Sequence, residues 1–229
     1  MLAPDTNMHA RSGLASRPEA ADGWSGNGIV VIERHVPALA LLFVQAERLL
    51  PFRTVIAEMF QIDVPQDLGV SDQERITLMS CGPGAYLAVI RSPASVAEIQ
   101  RRIGELAVVV DCSDNFTLLS VGGLRAQQLL ARICSIDLDS RRLPDQLAMV
   151  TLIFQMRAYV WRAARLGPYS LAVPRSSVVC FWDALLQAAQ SLGDAVSPTF
   201  IEEFERSPGI IAPTTIAETF SRPRALGND

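Results

Sequence analysis

Two histidines, four cysteines and no lysine make a thin supply of reactive side chains for a chain of 229 residues. All 20 basic residues are arginine, which excludes a lysine Schiff base, a P-loop lysine and any other catalytic lysine. His9 falls in a stretch of small and polar residues, and His35 beside a short apolar run. Neither has a nucleophile or carboxylate next to it in sequence, so neither is assigned the role of a positioned base. Cys81, Cys112, Cys134 and Cys180 lie far apart with no C-x-x-C pair. Structural zinc takes closely spaced ligand pairs, so the expectation is buried free thiols in a reducing compartment. No G-x-S-x-G elbow is present.

The remaining polar residues have plainer explanations. Asp111 and Asp114 flank Cys112-Ser113, and short polar side chains of this kind bond to nearby backbone and make turns. Gly122-Gly123 before a helical pattern is able to cradle an anion, but neither G-x-G-x-x-G nor G-x-x-x-x-G-K is completed, and a tight turn is the simpler reading. Arg175 precedes a helix and its planar fork suits a carboxylate or phosphate, although a surface or subunit-interface ion pair suffices. Tyr159 and Trp161 could face a flavin or folate ring; their i, i+2 spacing favours packing on one sheet face. Arg125, Arg175 and Trp161 are the candidates for a subunit-interface or anion contact. No catalytic, cofactor-binding or metal-ligating residue is assigned.

The elements that must hold these residues centre on 108–138. The apolar, β-branched run at 108–110 suits a strand covered on both faces. A polar break follows, then a strand at 116–121, the Gly-Gly corner, and a helix at 124–133. Leu124, Leu129, Leu130 and Ile133 share one face of that helix. Before it, the pattern predicts strands at 29–36 and 38–45, and a helix starting near Pro51 with Phe52, Val55, Ile56, Met59 and Phe60 inward. A polar loop at 63–74 leads to strands at 76–80 and 85–90, joined through Cys81-Gly82-Pro83-Gly84. A helix capped by Ser92 or Ser95 buries Val96, Ile99 and Ile103, and a strand covers 106–111. After a polar loop at 141–145, strands follow at 147–154, 157–164 and 169–173. The last helix begins at Ser176 or Ser177 and buries Val178, Phe181, Trp182, Leu185 and Ala189.

A strand–helix–strand–strand order therefore occurs twice. The fold class is α+β, with antiparallel or mixed sheets and helices packed on them. Residues 29–190 form the domain, with sub-halves at about 29–112 and 113–190. Residues 1–28 are expected as a disordered or extended arm and 191–229 as an extended tail, within which 200–206 has helical spacing.

Composition narrows the partners. Apolar residues make up 49% and charged residues 19%, below the roughly 25% usual in soluble domains, so the chain has a large core or hides surface against partners. A net charge of −4 gives no overall basic footprint for nucleic acid or anionic membrane. No apolar run reaches membrane-spanning length and no signal-peptide core opens the sequence, so the expected location is cytoplasmic.

The stretch VVDCSDNFTLLSVGGLRAQQLLARICSIDL resembles the gamma subunit of heterotetrameric sarcosine oxidase, a family similar to the folate-binding region of the glycine-cleavage T-protein. Asp111, Ser113, Gly122, Ala126, Leu130, Asp137 and Leu138 fit its pattern. Upstream, Gly82-Pro83 with Tyr86-Leu87 resembles its hairpin. Downstream, Val173-Pro174-Arg175-Ser176 with Phe181-Trp182 resembles its strand-to-helix junction. The likeness spans about 38–189. Gly-Gly stands where Gly-Pro is commoner, and the tail is long.

The resemblance implies a non-catalytic subunit of a flavin-dependent enzyme that demethylates sarcosine or a related N-methyl amino acid. It implies alpha, beta and delta partner subunits that hold FAD, FMN, NAD, tetrahydrofolate and zinc, with no cofactor on this chain. The T-protein side implies a different function, a stand-alone tetrahydrofolate-binding one-carbon module or aminomethyltransferase-like protein. That would need a pterin pocket and a carboxylate near the folate nitrogens, and no stretch matches the T-protein's catalytic aspartate motif.

Overall fold

The computed structural model describes residues 12–17, 20, 23–26, 28–36, 38–91, 96–136, 146–164 and 167–192. His9, the serine caps at 92 and 95, Asp137, Leu138, the loop at 141–145 and the tail with its helical spacing at 200–206 lie outside these residues.

Apolar alternation builds two antiparallel sheets. The strands are β1 (Trp24–Gly26), β2 (Ile29–Arg34), β3 (Ala38–Val44), β4 (Val70–Gln73), β5 (Ile76–Gly82) and β6 (Ala85–Ile90), followed by β7 (Ala107–Asp111), β8 (Phe116–Gly122), β9 (Leu147–Ile153), β10 (Met156–Arg162) and β11 (Tyr169–Pro174). One sheet has the order β4-β5-β6-β3-β7, the other β1-β2-β8-β11-β10-β9. Four α-helices accompany them among the described residues: α1 (Leu49–Phe60), α2 (Val96–Ile103), α3 (Ala126–Ile133) and α4 (Val178–Gln190).

Each helix buries the stripe that its spacing dictates. Phe52, Ile56 and Phe60 of α1 recur every four residues and pack with Val96, Ile99 and Ile103 of α2 onto one face of the first sheet. Leu129 and Leu130 of α3 and Phe181, Trp182 and Leu185 of α4 cover the outer face of the second sheet. The two inner sheet faces meet through Leu39, Met79, Leu87, Leu118, Tyr159, Trp161 and their neighbours. The layers thus run helices, sheet, sheet, helices, with three apolar cores between them.

The two halves interlock. In the first, β3, α1, β4, β5, β6 and α2 succeed one another; in the second, β8, α3, β9, β10, β11 and α4. The strand before each set pairs in the other half's sheet: β2 with β8, and β7 with β3. With the sub-halves expected at about 29–112 and 113–190, the first therefore lends β2 to the sheet of the second, while β7 stays in the sheet of the first. The three strands between the helices of the second half lie where they were expected, at 147–154, 157–164 and 169–173. The first half holds one more than expected, β4, within the stretch read as a polar loop.

Three expectations are corrected. The run at 108–110 is not covered on both faces: β7 is an edge strand with Val108 63% and Val110 41% exposed. Leu124 precedes α3 in an exposed turn instead of joining its buried face. Within 1–28, Leu14 and Ala20 are buried in the outer core under α4, and β1 pairs with β2. Ser12 and the Gly13 N–H donate to the Glu33 carboxylate, and Arg17 pairs with Asp183, so this stretch packs on its own chain.

Candidate functional site

The break between β7 and β8 carries Asp111, Ser113 and Asp114. Asp111 Oδ1 accepts from both the Ser113 N–H (3.0 Å) and the Ser113 hydroxyl (2.6 Å). The Leu39 N–H donates to Ser113 Oγ at 3.0 Å, and the Cys112 N–H to the Leu39 carbonyl at 2.9 Å. These bonds occupy Asp111 and Ser113 in steering the chain from one sheet to the other, which is the turn chemistry expected of them. Gly123 turns the next corner at φ 98°, where a Cβ would lie 2.4 Å from the Gly28 carbonyl oxygen, so the corner admits only glycine.

Arg125, Arg175 and Trp161 do not converge. Arg125 lies just past the Gly122 end of β8, and its Nη1 donates to the Leu192 carbonyl at 3.0 Å, holding the end of α4. Arg175 lies at the opposite end of β8, where its N–H donates to the Asn115 carbonyl at 2.9 Å. Trp161 sits mid-sheet and is only 5% exposed, in the core between the sheets with Tyr159. Tyr159 in turn meets Phe116 edge-on at 5.3 Å. The sheet-packing reading of this pair holds, and burial removes Trp161 from any contact on the outer surface.

A groove of about 840 Å³ opens instead at the hairpin end of the first sheet. One wall is the β5–β6 turn, Ser80 to Gly84, with Tyr86; a second is Val44, Ala46, Leu49 and Arg53 at the start of α1; a third is the loop Pro65 to Leu68. The other half contributes Ile136, Met149 and Val150. The tight hairpin sets its shape: Gly84 has φ 67°, and a Cβ there would lie 2.3 Å from the Val44 carbonyl oxygen. The Ala148 N–H donates to the Leu68 carbonyl at 2.7 Å and ties the third wall to β9.

Most of this lining is apolar. Among the described residues Arg53 is its one cation, and its Nε is buried with no hydrogen-bond partner among them. Tyr86 stacks on Phe52 at 5.8 Å, and burial raises its phenol above the ordinary value, opposed by the charge of Arg53. Burial pushes the Cys81 thiol up to about 11, so it stays protonated and a poor nucleophile. Among the described residues no histidine lines the groove, and Asp67, the one acid, is exposed. Among the described residues this lining offers no activated nucleophile. The sequence reading found the hairpin but missed Arg53, whose only signal was a cation within an otherwise apolar stretch of helix.

The thiols give a pH-dependent expectation. Cys112 is pushed up to about 12, by burial first and then by the Asp111 charge. Both it and Cys81 thus hold their protons more tightly in the folded chain than at the ordinary 9.0. Their contribution to stability is complete below about 9 and is lost as the pH rises through about 11 and 12, because the unfolded chain releases protons that the folded chain keeps. The urea midpoint should fall steadily above that lower limit. At neutral pH a thiol reagent should modify the exposed Cys180 first and the buried Cys112 only on unfolding.

No model of a known protein family matches the chain. It is 30% identical over 126 residues to the sarcosine oxidase subunit gamma of Corynebacterium sp. (strain P-1). The chain is similar in sequence to a sarcosine oxidase gamma subunit. The matched stretch covers 53% of this chain and 61% of that relative's length. In fold, it matches a chain of heterotetrameric sarcosine oxidase from Corynebacterium sp. U-96, solved in complex with pyrrole 2-carboxylate. The TM-score is 0.69 at 22% identity, over 82% of this chain and 98% of that one. The aminomethyltransferase T of the glycine cleavage system from Bartonella henselae shares the fold more distantly. Its TM-score is 0.53 at 13% identity, over 78% of this chain and 57% of that one. Two antiparallel sheets with helices on their outer faces are thus common to all three, as expected from the T-protein likeness.

Among the described residues no group of three His, Cys, Asp or Glu side chains is placed to hold a metal ion. No described helix is long and apolar enough to cross a membrane.

Proposed function

We propose that this chain is the gamma-type, non-catalytic subunit of a cytoplasmic flavin-dependent heterotetramer, an oxidase or dehydrogenase that demethylates sarcosine or a related N-methyl amino acid. The observation that carries the reading is the 30% identity to a sarcosine oxidase gamma subunit over 126 residues. In this reading alpha, beta and delta subunits hold FAD, FMN, NAD, tetrahydrofolate and zinc, and this chain supplies shape against alpha.

Co-expression with such flavoprotein subunits tests it. A tag on this chain should bring down a yellow complex, while the chain purified alone should be colourless and sparingly soluble. A monodisperse, soluble chain that ignores the flavoproteins would overturn the proposal. So would calorimetric binding of tetrahydrofolate by the lone chain together with one-carbon transfer, which would move the protein to the T-protein's chemistry.

A further inference from the structure

We propose that residues 209–217 of this chain's own C-terminal segment pair as an added strand along the open edge of β7. The pairing lies within one polypeptide, so it stands or falls independently of the subunit reading.

The first observation is a break in the internal repeat. The two halves share one plan, β3-α1-β4-β5-β6-α2 and β8-α3-β9-β10-β11-α4. Their sheets run β4-β5-β6-β3-β7 and, taken from the matching end, β9-β10-β11-β8-β2-β1. β7 thus holds the place that β2 holds in the second sheet. The outer side of β2 is covered antiparallel by β1, with Trp24 opposite Val31 and Gly26 opposite Ile29. Among the described residues the first sheet has no counterpart of β1.

The second observation is the surface left open. Leu39 and Cys112 belong to the core between the sheets. By strand alternation Leu41 and Phe43 share the face of Leu39, and Val110 and Val108 share the face of Cys112. Register sets Val108 opposite Phe43 and Val110 opposite Leu41. Phe43, Val108 and Val110 are exposed, so one apolar patch runs across this face to the sheet edge. The Cys112 N–H donates to the Leu39 carbonyl. The same alternation turns the N–H groups of Val110 and Val108 toward β3 and those of Val109 and Asp111 outward. Sheets usually blunt an open edge with charge, proline, brevity or a cover, and β7 presents Ala-Val-Val-Val before Asp111.

The third observation is the sequence at hand to cover it. The N-terminal segment covers β2, and the chain runs on for 37 residues past Leu192. Within them 207–217, SPGIIAPTTIA, is the longest stretch without a charge. Ile210, Ile211, Thr214, Thr215 and Ile216 are β-branched and suit a strand. Pro213 has no N–H for a ladder, so in a paired strand it faces away from β7 and blunts the new edge. Ala212 and Thr214 on either side of it then bond to β7. The 16 residues between Leu192 and Gly209 span up to about 55 Å when extended. A domain of this size has a radius of gyration of about 16 Å, so the segment reaches the edge from any exit point. Tethering also gives it an effective concentration on the order of millimolar, which favours it over a second copy or a separate subunit.

The test uses the full chain, free or co-purified with partners. Amide exchange resolved to single residues should show Val109 and Asp111 slowed at least tenfold relative to unpaired amides. Ala212→Pro removes a donor that faces β7 and should return both to unpaired rates. Thr215→Pro lies on the outward side with Pro213 and should leave both protected. A photo-crosslinking amino acid at Val108 should join that position to 209–217 of the same polypeptide. The proposal is overturned if Val109 and Asp111 exchange freely in the wild-type chain, or if the two proline variants behave alike. It is also overturned if position 108 crosslinks only to a second copy or to another subunit.

Discussion

Trp182→Ala should destabilise the chain by about 4 kcal/mol, within the ~3–5 kcal/mol that truncating a large buried aromatic costs. Trp182 is fully buried at the centre of α4, among Phe181, Leu185, Leu129 and Leu130 in the outer core. Its truncation leaves a cavity in a core that both α3 and α4 share with the second sheet. Against a total stability of roughly 5–15 kcal/mol, the loss is large enough to leave much of the protein unfolded or insoluble. The indole carries a further instruction. Its Nε1 is buried with no hydrogen-bond partner among the described residues. Trp182→Phe keeps most of the volume and removes that orphan donor, so its cost should be about 1 kcal/mol or less, since an unsatisfied buried N–H is itself unfavourable. Urea midpoints at unchanged slope would show the order wild type, Phe, Ala. Equal losses for Phe and Ala would mean that the nitrogen has a partner.

That prediction rests on a stripe fully legible in the sequence. Val178, Phe181, Trp182, Leu185 and Ala189 read as one helical face, and all are buried. Local period was enough there, as it was for α1 and α2. It was not enough for the order of strands. Val108, Val109 and Val110 read as a strand covered on both faces, because composition reports a need for cover but not what supplies it. Here the strand lies at an edge, with Val108 and Val110 exposed. β4 was invisible for the converse reason: Ser71, Asp72 and Gln73 have weak strand preference, and pairing with the apolar β5 makes them extended. The turn between β9 and β10 also lacked its usual signal. Phe154 and Gln155 adopt φ of 50° and 64°, positions that normally call for Asn-Gly. The groove was unreadable because its walls come from α1, the β5–β6 hairpin and β9, and only the fold brings them together.

Arg91→Met should cost about 3 kcal/mol, the second largest effect expected of a single substitution. Arg91 follows β6 and closes the β4–β5 turn. Its Nε donates to the Glu74 carbonyl at 3.0 Å, its Nη1 to Thr77 Oγ1 at 2.6 Å and its Nη2 to Asp72 Oδ1 at 2.7 Å. It also reaches the Gln73 carbonyl, while Thr77 donates to the same Asp72 carboxylate. The Arg91 and Asp72 side chains are 15% and 23% exposed, so salt screens them weakly. Removing the guanidinium leaves a mostly buried carboxylate with one hydroxyl donor, which is why breaking such a pair costs more than the pair contributes. The partial exposure sets the value at the low end of the ~3–5 kcal/mol seen for fully buried pairs. Arg91→Lys keeps the charge but cannot reach three acceptors in a plane, and should lose about 1–2 kcal/mol. Adding Asp72→Asn to Arg91→Met should restore part of the loss, because the stranded charge is gone. Denaturant midpoints give the totals, and faster amide exchange at 70–77, with α4 unchanged, would place the damage in this turn. Additive losses in the double variant would mean that Arg91 acts through packing and not through Asp72. Arg34 adds a check on sign. Burial and then the nearby Arg91 charge both lower its pKa. Arg91→Met relieves that repulsion, so Arg34→Met should cost less in wild type than in the Arg91→Met background.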